Sequence, residues 1–280
     1  MKKTNEAIVG FFRENNKRFA PETKRSYALS LQQFLASCLK EYDEVKSKDI
    51  RDWLLELEDR RLKPRTINLK LAAVKAFYKY MEEETLITKN PLVNVHAVQV
   101  GDSLPAHLDQ ATLTEFKELT LDSPRERAML QTLYTTGVRV SELLHIRLDD
   151  IKWETRQIII HKGKSNKDRI VLFTSGCEER LKSYLTKRKL ESPYLFANFK
   201  GEPLSVNWVD KQFRRYTKEL KTDYKITPHT IRHTFATHLA EKQMPQSYIQ
   251  ELLGHVNINT TRIYTRPSPE ARKKKFDRYQ

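Results

Sequence analysis

Cysteine is nearly absent from this sequence. Cys38 and Cys177 stand in unrelated contexts, so neither a disulfide scaffold nor a thiolate metal site is expected, and a reducing cytoplasm is the compartment that fits. No apolar run approaches the roughly 20 residues that span a bilayer, and no membrane partner is expected. The opening stretch MKKTNEAIVGFFRENNKRF has lysines but lacks a long apolar core and a small-residue cleavage site, so it does not read as a secretory signal. Repeats and low-complexity tracts are missing. A metal-dependent nuclease would need clustered carboxylates around an open cation site, for which Asp149-Asp150 is a weak candidate; no metal and no cofactor is expected. What the chain has is basic charge: 51 Lys and Arg against 36 Asp and Glu, a net +15, spread along all 280 residues. Such a surface suits a polyanion partner, although a solvated basic surface accounts for the composition equally well, so motifs must decide.

The expected fold is mostly α with a small β-sheet. A chain of this length can bury one large core or two modest ones, and two domains are expected. In the first hundred residues, apolar positions recur at helical spacing in three sets. These are Tyr27, Leu31, Phe34, Leu35 and Cys38; then Ile50, Trp53, Leu54 and Leu57; then Ile67, Leu71, Val74, Tyr78 and Met81. With a first helix around Ile8 to Phe12, this predicts an all-α module over residues 1–97. Asn90-Pro91 ends the last pattern, and VQVGDSLPA, residues 98–106, has no periodicity and carries Gly and Pro, which marks a linker. Residues 107–280 then form a mixed α/β domain. Ser123-Pro124 predicts a helix N-cap with proline in the first turn, and Gly137 the end of that helix. QIIIH (Gln157 to His161) and RIVLF (Arg169 to Phe173) flank the polar stretch Lys162 to Asp168, which predicts a β-hairpin with a basic tip. Pro228 opens a helix carrying His229, Arg232 and His233.

Four separated segments concentrate reactive side chains: TGVRVSELL, HKGKSNKDR, HTIRH and LGHVNINTTRIY. Their order and contents resemble the tyrosine recombinase (phage integrase) superfamily, most closely its compact Xer-type members. The likeness extends over nearly the whole chain, since the helical module, with TINLKLAAVKAFYKYM at Thr66 to Met81, is similar to the family's SAM-like core-binding domain. The resemblance implies that Arg139, Lys164, His229, Arg232, His255 and Tyr264 are the catalytic residues of an enzyme that cuts and rejoins DNA through a 3′-phosphotyrosyl bond and exchanges strands by way of a Holliday junction. The chemistry suits these residue types. Cleavage of a phosphodiester builds negative charge on equatorial oxygens, which two preorganised arginines can stabilise. His229 and Arg232, three apart on one helix, share a face. Gly254 ends a short helix from Ser247 and lets the chain turn His255 inward. A phenol with a pKa of about 10 needs a cationic neighbourhood to attack, and the leaving 5′-oxygen needs a proton, which the family takes from a lysine at the hairpin tip, here Lys164. Glu142, three residues after Arg139, can hold it in place.

Lys24, Arg25, Arg65, Thr66 and Lys70 lie at or near predicted helix starts, where side chains and helix N-termini can hold phosphates; with Lys162 and Lys167 of the hairpin they are the expected DNA contacts. The resemblance implies double-stranded DNA bearing a specific recombination site as partner, a homotetramer on synapsed DNA, room for an accessory protein, and a cytoplasmic, nucleoid-associated enzyme. For residues 265–280, with Ala271, Phe276 and Tyr279 and a helix start at Ser268-Pro269, the resemblance implies docking on a neighbouring subunit, the alternative being a basic end that only adds nonspecific DNA affinity. The competing readings are a type IB topoisomerase-like DNA-relaxing enzyme and a non-catalytic DNA-binding protein.

Overall fold

Proline opens two of the first four helices, because its missing N–H is an orphan in the first turn anyway. In a computed structural model, which describes residues 2–101, 106–161 and 168–254, the four are α1 (Lys2–Glu14), α2 (Pro21–Cys38), α3 (Ser47–Asp59) and α4 (Pro64–Glu83). Their stripes converge on one core. Leu31, Phe34 and Leu35 from α2, Ile50, Trp53 and Leu57 from α3, and Ile67, Leu71, Val74, Phe77, Tyr78 and Met81 from α4 pack around Phe11 of α1. The Asn68 side chain then grips the main chain of Val98 from both sides, donating Nδ2–H to its carbonyl at 2.8 Å and accepting its N–H at 2.9 Å. This ties the start of the expected linker to α4. The chain divides into two compact units, Met1–Asp102 and Ser103–Gln280.

The second unit has its own core. Its elements run α5 (Gln110–Glu118), α6 (Pro124–Thr136), α7 (Val140–Leu144), a 3₁₀ turn (Leu148–Asp150), β1 (Ile151–Lys152), β2 (Gln157–Ile160), β3 (Arg169–Leu172), α8 (Ser175–Lys187), α9 (Val206–Glu219), α10 (Pro228–Glu241) and α11 (Gln246–Leu253). Helix α6 is buried by α8 on one flank and α10 on the other, with Ala128, Met129, Leu130 and Leu133 inside. The hairpin forms as expected and gains a third, two-residue strand, in the antiparallel order β1-β2-β3. Ile158 pairs with Val171 and Ile160 with Arg169, so Ile158, Ile160 and Val171 face the core while Ile170 and Leu172 face outward.

Ser123 and Pro124 take the expected N-cap and first-turn positions of α6, without the side-chain hydrogen bond that usually goes with them. The Ser123 ψ of 87° explains why. The residues that do cap, Asp109, Thr174, Ser205 and Thr227, have ψ between 149° and 173°, which carries the side-chain oxygen over the first turn. Among the described residues no helix is long and apolar enough to cross a membrane.

Candidate active site

Gly137 stops α6 in the left-handed region, φ 61°, and a side chain there would collide with α10: an added Cβ would lie 2.4 Å from the Phe235 ring. The chain therefore runs hard against α10 before reaching Arg139. That residue stands just ahead of α7 and is bound twice by Glu142, whose Oε2 accepts the Arg139 backbone N–H at 2.7 Å and whose Oε1 accepts Nη1–H at 2.8 Å. With 31% of its side chain exposed, Arg139 still meets solvent.

Arg232 is buried to 1% exposure. A guanidinium out of water costs several kcal/mol unless its N–H groups are satisfied. Here Nη1 donates to the Gly137 carbonyl at 2.5 Å and Nη2 to the Leu253 carbonyl at 2.7 Å. Both carbonyls belong to helix C-termini, α6 and α11, where orphan acceptors and the negative end of the helix dipole favour a cation. One side chain thus fastens the segment leading to Arg139 and the segment leading to His255. His229 sits in the first turn of α10, which Thr227 and Thr230 cap reciprocally at 3.1 Å each way. The residue is solvent-exposed, yet the crowding of its ring, then the charges of Arg232 and Arg139, push its pKa below the usual imidazole value. The Arg232 bond to Gly137, with His229 one turn earlier on α10, brings two distant segments into one neighbourhood.

Sequence reasoning missed Arg169. It donates Nη1–H and Nη2–H to the two Glu142 oxygens at 2.9 and 2.7 Å, its Nε–H points at the Leu252 carbonyl at 3.4 Å, and its side chain lies over Gly254, where a Cβ would come within 2.9 Å of Cδ. Burial alone would raise the Glu142 pKa; the Arg169 hydrogen bonds, the Arg139 backbone N–H and both guanidinium charges instead hold it at about 2. A signal was present in the strand's parity. Arg169, Val171 and Phe173 alternate with exposed Ile170 and Leu172, so Arg169 belongs to the inward face, where an arginine requires a carboxylate.

His161 and Asp168 flank residues 162–167. The His161 ring bonds Asp168 through Nδ1 at 3.0 Å and Asp150 through Nε2 at 2.8 Å, and these two carboxylates, Asp168 first, raise its pKa. Asp150 also accepts the Arg147 backbone N–H at 2.8 Å, so its carboxylate is engaged in holding the hairpin neck. Lys164, His255 and Tyr264, together with Lys162, Lys167 and the tail 265–280, lie outside the described residues.

In the first unit, Arg65 and Thr66 occupy the first turn of α4, and both are exposed. Lys24 and Arg25 follow the first turn of α2. The Lys24 ammonium donates to Asn16. Lys70, a turn further along α4, reaches across to Gln33 of α2; burial first, then the Arg60 charge, lowers its pKa.

The chain matches the family described as "Phage integrase family" over residues 108–271 and "Phage integrase, N-terminal SAM-like domain" over residues 12–88. It is 30% identical to tyrosine recombinase XerC of Lacticaseibacillus casei strain BL23 over 283 aligned residues, which cover 95% of each chain. It is 33% identical to tyrosine recombinase XerC of Bacillus subtilis strain 168 over 270 residues, 91% of this chain and 88% of that one. Among solved structures, the XerH site-specific recombinase bound to palindromic difH substrate in a post-cleavage complex is similar with a TM-score of 0.73 and 27% identity, covering 86% of this chain and 75% of that one.

Proposed function

We propose, from the premise that this chain belongs to the phage integrase family and is a tyrosine site-specific recombinase, that it cleaves duplex DNA by attack of Tyr264 on a phosphodiester and rejoins it to a partner duplex. The phenolic oxygen bonds phosphorus to give a 3′-phosphotyrosyl linkage, and a 5′-hydroxyl leaves. The 5′-hydroxyl of a second duplex then attacks the phosphotyrosine, restores a phosphodiester and releases the phenol. Two such exchanges, separated by a Holliday junction, complete the reaction, and the bond energy is retained throughout.

Arg139, partly open to solvent and oriented by Glu142, contacts a nonbridging oxygen and stabilises the charge that builds in the transition state. Arg232 adds its charge from beneath while holding both neighbouring segments in register. His229, with its pKa below the ordinary value, is neutral at pH 7 and available to contact phosphate or pass a proton. Lys164 protonates the leaving oxygen, and His255 bonds the remaining oxygen. The single observation that carries this reading is the convergence of Arg139, His229 and Arg232, with Arg232 hydrogen-bonded to the chain two residues before Arg139 and two residues before His255.

Lys24, Arg25, Arg65, Thr66 and Lys70 of the first unit, with Lys162 and Lys167, contact the DNA backbone. Residues 98–106 link a core-binding domain to a catalytic domain. The active assembly is a tetramer on two synapsed sites in the cytoplasm, associated with the nucleoid, where an accessory protein can act on it. The tail beyond Tyr264 packs on a neighbouring subunit. The test is denaturing electrophoresis after incubation with a duplex nicked beside the scissile phosphate. The parent forms a covalent adduct that EDTA does not abolish, and Tyr264→Phe binds the same DNA and forms none. Adduct from the Phe variant, or cleavage that requires magnesium, overturns the reading.

A further inference from the structure

Arg169 joins three parts of the chain that the recombinase reaction needs together. It opens β3, five residues after Lys164 in the sequence. Through both terminal nitrogens it holds Glu142, the residue that orients Arg139. Through Nε and its stacked aliphatic stem it meets Leu252 and Gly254, the last described residues before His255. Glu142 is 7% exposed at its side chain and Arg169 14%, so this pairing is shielded from the solvent screening that weakens surface ion pairs. The bidentate geometry fixes direction as well as distance. Gly254 is left-handed, φ 62°, and that conformation together with the contact at 2.9 Å leaves room there for glycine alone without a shift of Arg169.

We infer that Arg169 is a positioning residue that sets the hairpin lysine, Arg139 and the His255 segment in register on one phosphate. It does not act on the phosphate itself: its two Nη atoms are turned to the Glu142 carboxylate, away from any role as an open fork. The inference rests on the tyrosine recombinase reading given above. A lysine in its place keeps charge and stem but cannot span both Glu142 oxygens and the Leu252 carbonyl at once. A misplacement of the order of 1 Å in such a constellation slows chemistry by up to about a hundredfold.

The experiment compares the parent, Arg169→Lys and Arg169→Met on nicked duplexes carrying either oxygen or sulfur as the 5′ leaving atom. Affinity is followed by mobility shift, folding by thermal melting, and single-turnover adduct formation at saturating DNA. We expect DNA affinity within about twofold of the parent and adduct formation slowed about tenfold or more on oxygen. The loss on sulfur is smaller, since sulfur leaves without a proton and a displaced Lys164 then matters less. A residue that merely stabilised the fold would lower the melting temperature and the adduct amplitude and leave the rate of the folded fraction and the oxygen-to-sulfur ratio unchanged. That result overturns the inference, as does a loss confined to DNA affinity. Where the Met variant does not fold, the Lys variant decides. A parent that forms adduct alongside an equally fast Arg169→Lys sinks this inference alone, whereas a parent that forms none sinks the recombinase chemistry beneath it.

Discussion

Replacing Glu142 with Gln keeps the shape of the side chain and removes the charge on which two arginines converge. The Glu142 carboxylate accepts four hydrogen bonds, two from Arg139 and two from Arg169; an amide offers one acceptor atom and turns an NH₂ group toward donors. A carboxyl whose pKa falls from 4.5 to about 2 on folding stabilises the folded state at neutral pH by about 3 kcal/mol. Because Arg139 is partly solvated and can relax toward water, about 2–4 kcal/mol is expected for Glu142→Gln at pH 7. In a unit of this size that corresponds to a melting temperature lower by roughly 5–15 °C. Urea unfolding followed by the fluorescence of Trp153 and Trp208, the two tryptophans of the second unit, measures the difference. The sign with pH follows from the depressed pKa. The contribution is fully present above 4.5 and is lost as pH falls toward 2, with roughly 2 kcal/mol gone by pH 3. The parent and variant curves should therefore converge on acidification. A gap that stays constant from pH 7 to pH 3 would refute the assignment of the stabilisation to the ionised carboxylate. Adduct formation should fall with the substitution even where the variant is fully folded, since Arg139 loses its orienting partner.

Other expectations follow from the same packing. Gly137→Ala forces a side chain into the left-handed region and against the Phe235 ring, so it should cost about 1 kcal/mol in backbone strain and about 1–3 in overpacking. Phe235→Leu in the same chain should recover part of the loss, and strictly additive melting shifts would show that the collision is not the cause. His238 donates Nε2–H to the Leu108 carbonyl at 3.0 Å, while its Nδ1 accepts from Gln110 and Tyr134 at 3.1 and 3.0 Å. Burial lowers its pKa, so the unfolded chain takes up the proton first. Stability of the second unit should be full above pH 6.5 and decline as pH falls below it; a His238→Gln variant with the same pH profile as the parent would remove His238 as the origin.

The sequence made some features legible because their physics is local. The α4 stripe at Ile67, Leu71, Val74, Tyr78 and Met81 needed only helical periodicity, and every one of these residues is buried. Gly137 and Gly254 as helix stops follow from the rarity of side chains at positive φ. The candidate catalytic residues are legible only through motifs, since burial statistics would put Arg232 on the surface. Its burial between two helix ends depends on α6, α10 and α11 meeting, and no window of sequence contains all three. Arg169 was hidden by the same non-locality, with only its strand parity to hint at a buried partner. The two-residue strand β1 is too short to show alternation, and the side-chain bond missing at Ser123 turns on a single ψ. The contact of His161 with Asp150 and Asp168 likewise exists only once the three-stranded sheet has formed.

Attack by one oxygen atom, that of Tyr264, leaves a signature in which residue carries the DNA. The covalent adduct trapped on nicked duplex is digested with protease and nuclease, and the nucleotide-bearing peptide is sequenced by mass spectrometry. The expected result is a phosphodiester between the Tyr264 oxygen and a 3′-phosphate, with a free 5′-hydroxyl on the released strand. A nucleotide on any other residue, or a linkage through a 5′-phosphate, would contradict it.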